Sequence, residues 1–385
     1  MSYSMDRYGY YQIGDYKTYS FYELMDRYKE DPQPYKWVYN DDFFSQYDWS
    51  YEPTESIDEL YKQRAIELRE QYDYIVLQYS GGYDSANMLR AFVDNGIYPD
   101  ELLIYYSRHD TVSNQYHELK NYTWKKIEKI EKEYPQIKIR KIDYSDMICN
   151  WQKIIDRFIT VKRYIDCFGT HLTVNRLILD VLPHYVDEWK QLSSSNKKVT
   201  IIAGYEKTEP YYNYIEQLLY FSFNDSSLQY FISPFKQMIN DDLGVISELF
   251  YWGVTDVCAK IMIKQCHLIK STVDFDQLDL LLSQKNQKTD YWLKELNLSK
   301  TIYPTQSLTN EEFYDPTKKE PNPLWGNRDQ WFFNSKHLGS REHDIMYRSM
   351  FLSHNKHWRE WGIDKKYIGY GFKKIQSPKY VIFKK

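Results

Sequence analysis

Only four of the 385 residues are cysteines, Cys149, Cys167, Cys258 and Cys266, and no two stand in C-x-x-C spacing. The absence of that spacing argues against a zinc ribbon or a dithiol redox site and fits buried thiols in a reducing compartment. No uninterrupted apolar run of about 18 residues occurs, the length a membrane-spanning helix needs. The opening MSYSMDRYGYYQ lacks the basic-then-apolar layout of a secretory signal. The expectation is a cytoplasmic protein that makes no use of the membrane. An excess of either sign of charge is also lacking, the net value being −4. What abounds is tyrosine, at 40 residues, beside many Lys, Asn and Ile. A coding sequence rich in A and T accounts for that bias without invoking function, and would suit a small or viral genome.

The near-neutral total hides an uneven distribution. Acids outnumber Lys and Arg about two to one in residues 1–75, whereas Lys and Arg outnumber acids by more than two to one in residues 318–385. The chain accordingly reads in three parts. Residues 1–70 form an aromatic, acidic arm of little periodicity, closed by a helix. Residues 71–285 form an α/β domain, and residues 286–385 a basic, aromatic C-terminal module. The helix of the first part has a capping box, Ser56 with Glu59, and runs to about Gln71. In the second part, strands at Tyr74–Tyr79, Glu101–Tyr106, Ile137–Ile142 and Val199–Ala203 alternate with helical patterns. Those helices include 114–134, ended by Pro135, and 172–189, kinked at Pro183. Two more helical stretches are expected near 241–253 and 255–269. This alternation predicts a parallel-stranded, doubly wound α/β sheet.

The chemistry concentrates where the first of these strands ends, in IVLQYSGGYDSANML. A parallel sheet binds ligands beyond the carboxyl ends of its strands. Gly81 and Gly82 permit a backbone turn closed to other residues, and the following helix N-terminus adds oriented N–H groups. Ser80 and Ser85 add hydroxyls. The result is a phosphate cradle, yet it lacks the lysine of a Walker loop and the third glycine of a dinucleotide fingerprint. Asp84 puts negative charge against the phosphates, a conflict that Mg²⁺ between them would resolve. The plainer alternative is that Asp84 favours the positive end of its helix.

SGGYDS resembles the SGGxDS signature of the N-type ATP pyrophosphatases, or PP-loop enzymes, over about residues 70–270. That family includes asparagine synthetase, GMP synthetase, 7-cyano-7-deazaguanine synthase, lysidine synthetase and tRNA thiolation enzymes. The resemblance implies an adenine nucleotide alpha hydrolase-like fold that binds ATP and Mg²⁺. It implies that Ser80, Gly81, Gly82, Asp84 and Ser85 hold the leaving pyrophosphate, with Asp84 on the metal. A substrate oxygen would attack the α-phosphorus, and a nitrogen nucleophile would then displace AMP. In IIAGYEKTEPYY, Gly204 with Glu206 or Glu209 stands where the asparagine synthetase branch adds a carboxylate to the metal. SPFKQ is similar to the family's Ser/Thr-Pro-Leu turn and puts Lys236 beside pyrophosphate. The resemblance also implies that Arg176 of TVNRLILD is a phosphate contact, where a surface helix arginine is the plainer alternative, and that Tyr106 and Ser107 would lie near adenine.

Departures from the family narrow the choice. Ser2 replaces the cysteine nucleophile of glutamine-dependent asparagine synthetases, no cysteine follows position 266, and Cys258 and Cys266 lack the spacing of thiolation enzymes. An AMP-forming ligase is the first expectation. The alternatives are a nucleotide-binding or structural protein without turnover, and a nucleic-acid base-modifying enzyme. In the C-terminal module, Trp325, Arg328, Trp331, Phe332, His337, Arg341, His343, Arg348, His354, His357 and Trp358 mix aromatics with cations. Such a mixture suits a polyanion or nucleic-acid contact. It also suits an aromatic core with a basic rim. The substrate, small molecule or nucleic acid, stays open.

Overall fold

The computed structural model describes residues 9–19, 21–108, 119–146, 182–204, 207–208, 210–224, 243–285, 290–293, 301–303 and 376–385. The N-terminal arm is more regular than its sequence suggested. Strands β1 (Tyr10–Ile13), β2 (Tyr16–Thr18) and β3 (Tyr35–Val38) form an antiparallel sheet in the order β2-β1-β3, with helix α1 (Phe21–Glu30) between the last two in sequence. Burial does alternate along β1, and Tyr11 meets Trp37 edge-on at 4.8 Å. Tyrosine stands on both faces here, so the two-residue period of a strand is invisible to a hydrophobicity pattern. A short helix α2 (Asp41–Phe44) follows.

Ser56 caps helix α3 (Ile57–Gln71) as expected: its hydroxyl accepts from the Glu59 amide, and the Glu59 carboxylate accepts from the Ser56 amide at 2.8 Å. Strand β4 (Tyr74–Gln78) leads through the glycine turn into helix α4 (Tyr83–Val93), and strand β5 (Glu101–Tyr106) follows. A π-type turn at Leu119–Thr123 opens helix α5 (Trp124–Glu133), which stops before Pro135, and strand β6 comes next (Lys138–Asp143). Pro183 lies in a 3₁₀ turn, Leu182–Tyr185, ahead of helix α6 (Asp187–Ser194); the 172–181 part of the expected helix lies outside the described residues. Strand β7 is Val199–Ala203.

Strands β8 (Tyr211–Asn213), β9 (Leu218–Phe221) and β10 (Val245–Leu249) precede helices α7 (Asp256–Thr272) and α8 (Phe275–Gln284). The stretch read as helical near 241–253 is therefore a strand. VISEL is too short to carry a helical period, and its Val-Ile start favours the extended chain. Strands β11 (Tyr291–Trp292) and β12 (Tyr380–Lys384) complete a four-stranded antiparallel sheet in the order β11-β8-β9-β12.

The centre of the molecule is a five-stranded, all-parallel sheet, β10-β7-β4-β5-β6, flanked by helices. Strand β7 is buried at all five positions and β4 at four of five, as expected of central parallel strands covered on both faces. The edge strand β6 carries Lys138, Arg140 and Lys141, charges that discourage further pairing. From β4 the chain winds to one edge through β5 and β6, then returns to build β7 and β10 on the other side. The strand order reverses between β4 and β7, and the glycine turn leaves the sheet at that junction. Among the described residues no helix is long and apolar enough to cross a membrane.

Candidate anion-binding site at the end of β4

Gly81 adopts φ +82°, a left-handed conformation open chiefly to glycine, and a Cβ there would stand 2.8 Å from Thr123 Oγ1. Close packing against Thr123, as well as backbone freedom, thus dictates the residue. Gly82 is the N-cap of α4 and offers no side chain, so no side-chain cap closes the helix N-terminus. Its first amides and the positive end of the helix dipole face the turn, the arrangement that favours an anion.

The turn is held from inside and from below. Ser85 is buried; its hydroxyl donates to the Gly82 carbonyl at 3.2 Å and accepts from the Ser80 amide at 3.2 Å. The two serine hydroxyls lie 3.2 Å apart. In this conformation Ser85 shapes the loop, while Ser80 is exposed. Thr123 donates to the Ser80 carbonyl at 2.5 Å, and the buried Lys126 ammonium donates to the Gly81 carbonyl at 2.6 Å. The loop sequence lacks a lysine, but the fold brings one up from α5.

Asp84 lies in the first turn of α4 with its side chain 37% exposed. Lys207 Nζ approaches its Oδ1 to 3.1 Å, and the Tyr303 hydroxyl donates to the same oxygen. Lys207 also donates to the Tyr303 hydroxyl at 2.8 Å. Tyr303 is buried and stacks on Tyr83 at 6.0 Å; burial first, then the Asp84 charge, raises its phenol well above the ordinary value. The proton it gives to Asp84 is therefore firmly held. The Asp84 carbonyl in turn accepts from Tyr251 at 3.1 Å, and Asn87 donates to that tyrosine at 3.0 Å. Tyr251 directly follows Leu249 and Phe250, whose carbonyls accept from the buried Arg64 guanidinium at 3.0 and 3.2 Å.

A buried hydrogen-bond chain secures the two segments that reach Asp84. Tyr61 of α3 donates to the Ile302 carbonyl at 2.8 Å and accepts from Gln265 of α7 at 3.1 Å. The Gln265 amide oxygen accepts from the Thr208 amide at 2.9 Å. One glutamine thus ties down the neighbours of both Lys207 and Tyr303.

Of the other residues singled out in the sequence, Gly204 ends β7 against the turn: a Cβ there would lie 3.1 Å from the Asp84 carbonyl oxygen. Tyr106 ends strand β5, the neighbour of β4, and Ser107 follows it. Tyr106 meets Trp124 edge-on at 5.5 Å, and the buried Ser107 places its hydroxyl 3.0 Å from that of Ser145. Arg176, Glu206, Glu209 and Lys236 lie outside the described residues, as do the aromatics and cations of 325–358. Cys258 and Cys266 are free, buried thiols raised by that burial. Lys126, Lys207, Tyr251 and Tyr303 carried no local signal, because each reaches the turn only through the folded topology.

The donor set suits a magnesium–polyphosphate. Asp84 offers a hard oxygen ligand whose Oδ2 is unengaged among the described residues. No group of three or more His, Cys, Asp or Glu side chains forms a metal cage among them. Mg²⁺ on a nucleotide commonly takes one or two carboxylates and completes its shell with phosphates and water. Compared with known proteins, the chain matches no family model and no curated sequence.

Proposed function

We propose that the β4–α4 turn binds the polyphosphate of ATP and that the protein is an AMP-forming ligase. In this reading a carbonyl or carboxylate oxygen of the substrate attacks the α-phosphorus, pyrophosphate leaves, and a nitrogen nucleophile then displaces AMP. The observation that supports it is the placement of SGGYDS. The motif that resembles the PP-loop signature forms an uncapped helix N-terminus at the order reversal of a parallel sheet, where nucleotides bind in such folds.

The residues take roles accordingly. The amides of the turn cradle the departing pyrophosphate. Ser80 donates its hydroxyl, and Ser85 keeps the glycines in their conformation. Asp84, with Glu206 or Glu209, would hold Mg²⁺, whose chemistry is to neutralise charge on the phosphates. Lys207 adds a protein cation at the same place. Gly204 lets the β7 end lie close to the turn. Tyr106 and Ser107, at the end of the neighbouring strand, border the side assigned to adenine. Lys236 and Arg176 are phosphate contacts in this reading.

Release of pyrophosphate from ATP, measured with Mg²⁺ across a panel of carboxylates, amides and nucleic acids, tests the proposal. Asp84→Ala should abolish it. A second reading is favoured by the Lys207 contact, because a carboxylate already neutralised by an ammonium can serve as a loop anchor. The protein would then bind nucleotide without turning it over. ATP binding without pyrophosphate release on any substrate would select that reading.

A further inference from the structure

Asp84 is gripped at one oxygen only. Oδ1 accepts from the Tyr303 hydroxyl and lies 3.1 Å from Lys207 Nζ, whereas Oδ2 has no partner among the described residues. An aspartate on an exposed first helical turn ordinarily rotates about two side-chain bonds. Two donors converging on one oxygen remove that freedom and fix where the other oxygen points. Such outer partners of a ligating carboxylate commonly set its orientation and its affinity for metal.

Tyr303 is built to do this rigidly. It is 4% exposed, and its ring lies nearly parallel to that of Tyr83, with an interplanar angle of 18°. The preceding Ile302 is fully buried, and its carbonyl is held by Tyr61. Lys207 Nζ sits 5.1 Å from the centre of the Tyr303 ring, adding a cation–π contact to its hydrogen bond. The hydroxyl is thus placed by packed backbone and ring, not by a side chain free to swing.

We propose that Tyr303, 219 positions beyond Asp84, is a positioning residue that fixes Oδ1 of the loop carboxylate and leaves Oδ2 to a divalent cation on the bound polyphosphate. The inference rests on the nucleotide reading above and extends it: a segment beyond the parallel sheet completes the metal side of the site.

Mn²⁺ titrated into the full chain with a non-hydrolysable ATP analogue, read by the spin-resonance signal of the free ion, tests this directly. Wild type should take up Mn²⁺ at one saturable site beyond what the analogue alone binds, and Asp84→Asn should lose that increment. Tyr303→Phe keeps the ring and its stacking on Tyr83, yet should weaken Mn²⁺ binding about 10- to 100-fold. Affinity for the analogue in chelator should stay unchanged. Tyr303→Met, which loses ring and hydroxyl together, is read alongside. Equal losses in the Phe and Met variants support positioning by the hydroxyl. Wild-type Mn²⁺ affinity in Tyr303→Phe, with Asp84→Asn still defective, overturns the role of Tyr303 and leaves the nucleotide site standing. A wild-type protein that binds no Mn²⁺ with the analogue overturns both.

Discussion

The ammonium of Lys207 lies 3.1 Å from the carboxylate of Asp84 in the first turn of α4, across 123 positions of sequence. The pair is part-exposed, so its contribution to stability is small, about 0–1 kcal/mol. Its weight falls on charge at the turn. Asp84→Asn keeps the shape and removes the charge; pyrophosphate release should drop by about 10²–10³ while the unfolding midpoint barely moves. Lys207→Met should weaken ATP binding, visible in KM, with a smaller effect on kcat. Steady-state kinetics with thermal unfolding of each variant checks both statements.

Gly81→Ala should damage fold and site together. The left-handed backbone strains any other residue, and the added carbon would stand 2.8 Å from Thr123 Oγ1. A cost of about 1–3 kcal/mol is expected from the conformation alone. The turn can relieve it only by moving off Thr123, which disturbs the hydrogen bond from Thr123 to the Ser80 carbonyl. Urea denaturation should report the lost stability, and ATP binding should fall by more than that loss explains.

The turn itself was legible because its signals are local: a buried strand, two glycines and a helical stripe lie within twenty residues. Strands β5 and β7 likewise stand where their apolar runs put them, and Ser56 with Glu59 marks the start of α3. Strand β10 was hidden because Ser247 and Glu248 interrupt the apolar run that marked β4 and β7. The β1–β3 sheet was hidden because tyrosine serves both its faces. Lys207 stood in plain view between two glutamates that drew the metal argument. Nothing local says that Lys207 meets Asp84. Tyr303 lay further still from any signal, in a segment assigned to another module.

Gln265 should matter beyond its share of the core. It is fully buried in α7, accepts from the Thr208 amide and donates to Tyr61, whose own proton goes to Ile302. Gln265→Leu conserves volume and strands the Thr208 amide without an acceptor, at a cost of about 1–3 kcal/mol. Because Thr208 adjoins Lys207 and Ile302 adjoins Tyr303, the damage should reach Asp84. ATP should bind more weakly although the substituted residue touches no nucleotide. Calorimetric titration with ATP beside a urea series separates this outcome from plain destabilisation, which would leave affinity of the folded protein intact.

His267 should make stability depend on pH on the acid side. It is buried on α7 with Nε2 3.1 Å from the Trp49 carbonyl, and serves as the donor when that nitrogen carries the proton. Burial first, with Lys270 and Lys264 also opposing a second proton, lowers its pKa below 6.5; the Trp49 contact and Glu52 pull the other way. The unfolded chain therefore takes up the proton more readily than the folded one. The stabilisation is complete above about pH 6.5 and is lost as pH falls toward the depressed folded value. Trp49 stacks on Phe221 and Tyr380, and the neighbouring Glu52 pairs with Lys264 at 2.7 Å, so the buried charge would fall where the 44–53 segment packs on α7. His267→Gln retains an N–H donor and cannot titrate. The difference in melting temperature between wild type and this variant should change as pH falls from about 7 to about 5, wild type losing more. Parallel curves would show that other groups carry the acid sensitivity.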